Sequence, residues 1–138
     1  MFHEFEFFQP VDFLELSKEL FANFEDFESG ISSAKRTIYN RIYFSAFLHV
    51  REWLVLNQNY MSTVNDHSSI PDFIRFNGPF DTSKNLEIAS DLELLKKLRH
   101  QADYYISRDD CMRYNASFLD KDIDEALKIA EKIFNSFQ

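Results

Sequence analysis

The stretch from Ser32 to about Asn57 does most to restrict the fold. Ile38, Tyr39, Ile42, Tyr43, Ala46, Phe47, Val50, Trp53 and Leu54 recur there at helical spacing. Wound at about 100° per residue, they cover more than half of a helix circumference, and Phe44 and Leu48 intrude on the remainder. A helix with so little polar surface has to sit at the centre of a bundle, touching neighbours on several sides. Ser32 or Ser33 can cap its start.

The rest of the chain supplies those neighbours. Asp12 can cap a first helix on which Phe13, Leu16, Leu20, Phe24 and Phe27 repeat, with Gly30 as its stop. Residues 58–82 read as a connection rich in Asn and Ser, with Pro71, Gly78 and Pro79; within it SIPDFIRF makes one or two helical turns. Thr82 or Ser83 caps a third long helix that ends near Ser107. The polar stretch RDDCMRYN reads as a loop. Asp120 or Asp122 opens a last helix carrying Ile123, Ala126, Leu127, Ala130, Ile133, Phe134 and Phe137 on one side. The expectation is a single all-α domain over residues 1–138: an up-and-down four-helix bundle with a short extra helical turn between helices 2 and 3. Only 2 Gly and 3 Pro in 138 residues fit long helices better than many short strands.

The charge pattern limits the partners. The net charge of −8 argues against broad nonspecific binding to nucleic acid. Its distribution is uneven. Residues 1–30 hold eight acids and one base, whereas residues 31–60 hold four bases and one acid, and residues 95–113 five bases and three acids. The two basic segments share a surface if their helices pack. The single Cys111 excludes an intrachain disulfide and fits a reducing compartment. No apolar run approaches the roughly 18 residues needed to span a bilayer, and MFHEFEFF lacks the basic start of a signal peptide. A cytoplasmic protein with no membrane contact is expected.

One residue breaks the pattern. On the third long helix Ile88, Leu92, Leu95, Leu98, Ala102 and Ile106 share a face, and Arg99 falls inside that stripe, roughly 40° from Leu95. A guanidinium keeps its charge, and burying it unpaired is costly. A carboxylate, a subunit interface or an anionic ligand must compensate it. Asp103, one turn on, can pair with it; Lys96 and Arg41 are further candidate binding residues. His100 and Tyr104 lie one turn apart on an adjacent, more polar face and are the candidate proton-transfer groups beside Arg99. His49 points into the apolar side of the central helix and reads as a hydrogen-bonded core histidine. Phosphate-loop, HExxH, CxxC and GxSxG patterns are absent, and the histidines lack zinc-ligand spacing, so neither a metal nor a cofactor is expected.

Four segments together resemble one family. SAKRTIYNRIYFSAFLHVREWL resembles the paired-aromatic RxYYAxF helix of small HEPN-type proteins. DHSSIPDFIRF resembles their H-S-x-(I/V)-x-x-x-(F/L) segment, LELLKKLRHQADYYIS their L-x-x-L-R-x-x-A-D-Y element, and the last helix, with Ala126 and Ala130, their closing A-x-x-x-A helix. The match runs in order over about residues 32–135.

The resemblance implies an up-and-down helical bundle that dimerises. It also implies a place in toxin–antitoxin, CRISPR or anti-phage defence systems, as a metal-independent endoribonuclease or as the partner of a small nucleotidyltransferase. The family's motif is an arginine, a polar residue directly after it, and a histidine further along. Arg99 and His100 match the first two. The histidine would fall at 104, 105 or 106, where this chain has Tyr104, Tyr105 and Ile106.

Three functions follow from that departure. The first is a degenerate, ribonuclease-like dimeric module binding RNA, a nucleotide or a protein partner, such as a nucleotidyltransferase-type antitoxin, around Arg99. The second is an active endoribonuclease using Arg99 with His100 or Tyr104. The third is a purely structural helical protein in which Arg99–Asp103 is a packing pair. The acidic, Phe-rich FHEFEFF segment is a candidate docking arm or a packing segment of the bundle.

Overall fold

The structure, a computed structural model, describes residues 9–23, 31–104 and 120–138. All regular elements among these residues are helices: α1 (Pro10–Asn23), α2 (Ile31–Gln58), α3 (Asp66–Asn77), α4 (Thr82–Tyr104) and α5 (Asp120–Ser136). As the periodicity predicts, α2 is central. Ile38, Ile42, Ala46, Val50 and Leu54 are wholly buried, and α1, α4 and α5 all pack against α2. Leu92 and Leu95 of α4 and Ile123, Ala130 and Ile133 of α5 complete the core. No helix among the described residues is long and apolar enough to cross a membrane.

The largest departure from expectation is α3. The predicted one or two turns are a helix of 12 residues that contains Pro71. A proline inside a helix costs about 3 kcal/mol. Burying Ile70 and Ile74, both fully enclosed, returns about 1.5–3 kcal/mol each, so packing on α4 outweighs the local preference.

Several caps also differ. The first helix begins at Pro10, the position where a missing N–H does no harm. Asp12 lies within its first turn, and its carboxylate accepts the Gln9 N–H. The second helix starts at Ile31, so Ser32 and Ser33 are inside it. Asp81, rather than Thr82 or Ser83, caps α4, accepting the Lys84 N–H at 2.8 Å. At the end of α2, Asn59 takes a left-handed backbone (φ 53°), and the Tyr60 N–H reaches back to the Leu54 carbonyl. The stretch RDDCMRYN and the FHEFEFF segment lie outside the described residues, as does the stop at Gly30.

The turn from α3 to α4 is built around Asn85. Its side-chain amide grips both sides of Phe80, accepting that residue's N–H and donating to its carbonyl. Gly78 lies against this amide, and a Cβ there would strike both Asn85 and the Ile74 carbonyl. Ion pairs fasten the helices from outside: Lys132 of α5 to Glu87 and Asp91 of α4, and Lys18 of α1 to Glu131 of α5.

Candidate functional site

Arg99 lies between the core positions Leu95 and Ala102 of α4, yet its side chain is 23% exposed. Two contacts compensate its charge. Nε donates to Asp103 Oδ2 at 3.0 Å, the i,i+4 pairing that the sequence predicts. The guanidinium carbon lies 5.4 Å from the Phe44 ring centre and 5.8 Å from that of Tyr43. Asp103 engages only Nε. The two terminal nitrogens, the fork that grips carboxylates and phosphates, make no hydrogen bond among the described residues.

A histidine from another helix completes this corner. His67, the second residue of α3, stacks on Phe47 at 4.1 Å between ring centres and stands edge-on to Phe44. Its Nδ1 shares a 2.6 Å hydrogen bond with the Tyr43 hydroxyl. Tyr43 and Phe44 thus touch both the imidazole and the guanidinium. Pro71 explains the third member. It has no N–H to offer the His67 carbonyl one turn back, and Lys96 Nζ lies 3.4 Å from that oxygen instead. Arg51 adds a cation from α2, its guanidinium 5.7 Å from the Phe47 ring centre.

The electrostatics follow from this crowding. Burial first, then the charges of Arg99, Lys96 and Arg51, push the His67 pKa below its ordinary value, with Asp66 opposing more weakly. The imidazole is therefore neutral at pH 7. Burial pushes the Tyr43 hydroxyl up, with Arg99 pulling the other way, so it keeps its proton. Asp66 offsets the cations only weakly. It is 2% exposed and committed to the Tyr60 hydroxyl, the Ser62 hydroxyl and the Thr63 N–H. Burial alone would raise its pKa, but those three donors and the charge of Arg51 together hold it low.

The other predicted residues fall elsewhere. His100 is exposed and Tyr104 is 60% exposed, and their rings lie 4.7 Å apart on the outer side of α4. The imidazole placed against the rings that flank Arg99 is that of His67. Arg41 is turned towards α1, 4.8 Å over the Phe13 ring, and is not part of the cluster. His49 behaves as a core histidine: Nε2 lies 2.6 Å from the Phe137 carbonyl, and its ring stacks on Phe134. Sequence reasoning missed His67 and Arg51. The only local signal was the DHSS start of a segment read as mostly loop.

No family model, curated protein or solved structure matches this chain. The chemistry must be read from the cluster alone. Among the described residues no three His, Cys, Asp or Glu side chains gather as a metal-binding group. A hollow of about 330 Å³ lies elsewhere, between α1, α2 and the chain end, lined by Val11, Trp53, Leu56 and Phe134. That hollow is mainly apolar, and its histidine, His49, is committed to a backbone carbonyl. The convergent cations with an unsatisfied guanidinium edge lie at Arg99 and His67. Such an arrangement suits an anion with several oxygens, for which the fork supplies directed donors and Lys96 a point charge.

Proposed function

We propose that this chain is a HEPN-like module that binds RNA through the cationic corner around Arg99, and that it acts as a homodimer in a toxin–antitoxin or anti-phage defence system. The observation that carries the reading is the unused guanidinium edge of Arg99, beside Lys96, Arg51 and a neutral imidazole. The side chain is 23% exposed, so this edge is open to solvent and available to a ligand. The arrangement of α1, α2, α4 and α5 around one core is compatible with the up-and-down bundle implied by the resemblance, with α3 as an addition.

The acidic surface makes local recognition the relevant mode. A protein of net charge −8 repels polyanions over most of its surface, so binding depends on a few convergent donors. The positions at which the family's motif would place its histidine hold Tyr104, Tyr105 and Ile106, which supports binding over cleavage by the family's own motif. A nucleotidyltransferase-type antitoxin remains the proposed protein partner.

Fluorescence anisotropy with single-stranded and structured RNA tests this reading. Losing charge-assisted bonds worth about 1.5–3 kcal/mol, Arg99→Met should weaken binding about ten- to a hundredfold. The slope of log affinity against log salt should fall by about 1. An unchanged affinity in the folded variant would instead favour the purely structural role of the Arg99–Asp103 pair.

A further inference from the structure

His49, Glu52, Trp53 and Leu56 of α2 line one hollow, at the i, i+3, i+4, i+7 spacing of a single helix face. This is the hollow of about 330 Å³ between α1, α2 and the chain end. We propose that it binds a small organic amine: an apolar or aromatic body carrying one ammonium group. The site is separate from the cationic corner at Arg99, and its occupancy does not depend on RNA.

The aromatic wall is held in place by the protein itself. Nε2 of His49 lies 2.6 Å from the Phe137 carbonyl oxygen, and the Trp53 indole N–H donates to the Gln138 carbonyl at 3.2 Å. His49 also stacks on Phe134, and Trp53 stands edge-on to Phe137. Two side chains one turn apart thus clamp two consecutive carbonyls, so the rings keep their orientation without help from a ligand, and binding need not order them. Val11 and Leu56 add apolar lining that is still open, at 42% and 73% exposure. The volume lies at the small end of ligand pockets, which suits one ring or a short alkyl chain.

The polar groups of the hollow select a cationic donor. A carbonyl can only accept, so the bond to Phe137 puts the hydrogen on Nε2 of His49. In the neutral ring Nδ1 then holds the lone pair, and it makes no hydrogen bond to any described residue. Glu52 is the one charged residue among those that line the hollow; it is exposed and has no ion pair or hydrogen bond among the described residues. The neighbouring cations are engaged elsewhere. Arg51 lines an adjoining hollow and lies over the Phe47 ring, and Lys18 pairs with Glu15 and Glu131. An ammonium therefore meets an acceptor nitrogen, a free carboxylate and the electron-rich rings of Trp53 and Phe134. An anion or an alcohol of the same shape gains the apolar contacts alone.

The test is a titration of the full chain with phenethylamine, followed by tryptophan emission, which comes from Trp53 alone. Saturation-transfer NMR on the same samples registers binding that leaves the emission unchanged. The expected result is saturable binding with a Kd of about 1 mM or tighter. Phenethyl alcohol and 3-phenylpropionate, which replace the ammonium by a hydroxyl and a carboxylate, should bind about tenfold more weakly or worse. This comparison uses the wild type and needs no variant that might misfold. Glu52→Gln, at an exposed position, should weaken the amine about three- to tenfold and leave the alcohol unchanged. No saturable binding of the amine by either measurement would overturn the proposal. So would equal binding of the three ligands, which would make the hollow a plain apolar recess, or an unchanged amine affinity in Glu52→Gln. The affinity for RNA is measured separately, so failure here leaves the reading of Arg99 untouched.

Discussion

The Tyr43 hydroxyl and Nδ1 of His67 lie 2.6 Å apart and tie α3 to the central helix. Burial and the neighbouring cations disfavour the charged imidazole in the folded chain, whereas the unfolded chain titrates near the ordinary value of 6.5. Below that value the unfolded state binds a proton that the folded state refuses. Stability should therefore fall as pH drops below 6.5 and level off beneath the lowered folded value. Urea melts of the wild type and His67→Gln, from neutral pH to about pH 5, isolate the effect as their difference. An identical slope in the two proteins would show that the imidazole does not sense the cations.

The Arg99–Asp103 pair is partly exposed, at 23% and 31%, and joins neighbouring turns of one helix. Such pairs contribute about 0.3–0.5 kcal/mol. Arg99→Met should accordingly shift stability by less than about 1 kcal/mol in either direction while RNA binding collapses. Thermal melting and anisotropy on the same samples check this. A large loss of stability with unchanged binding would make the pair structural.

Asp66 organises the connection that delivers His67. Three donors converge on its buried carboxylate, so Asp66→Ala leaves them unpaired and should destabilise the fold by about 2–4 kcal/mol. Its folded pKa is depressed below the ordinary 3.8, so its contribution is present above that value and is lost as pH falls through the folded one. Burial, then Asp66, raise the Tyr60 hydroxyl to about 12, so this donor stays protonated through the whole range. Chemical denaturation of wild type and Asp66→Ala at neutral and acid pH should show the gap between them closing in acid.

Asn85 is 6% exposed and carries both hydrogen bonds to the Phe80 backbone. Asn85→Ala should cost about 1–3 kcal/mol. Gly78→Ala should also destabilise, although φ there is −64°, because the added Cβ meets Asn85 and the Ile74 carbonyl. The two losses share one cause, so the double variant should lose less than their sum in equilibrium urea unfolding.

The helices and the centrality of α2 could be read from the chain, because an apolar stripe at helical spacing needs only local geometry to predict which face is buried. Arg99 stood out for the same reason, and its partner Asp103 lay one turn away. Local preference failed at Pro71, where burial of Ile70 and Ile74 overrode it and extended the predicted one or two turns into α3. It failed again at Arg41, which shares α2 with Tyr43 but faces α1. His67 and Arg99 are far apart in sequence and on different helices, so no periodicity links them. Packing α3 onto α4 placed the imidazole against the rings that hold the guanidinium, and the carbonyl orphaned by Pro71 brought Lys96 to the same corner. Periodicity along one helix determines which face is buried; which side chains from separate helices meet is decided only when those faces pack.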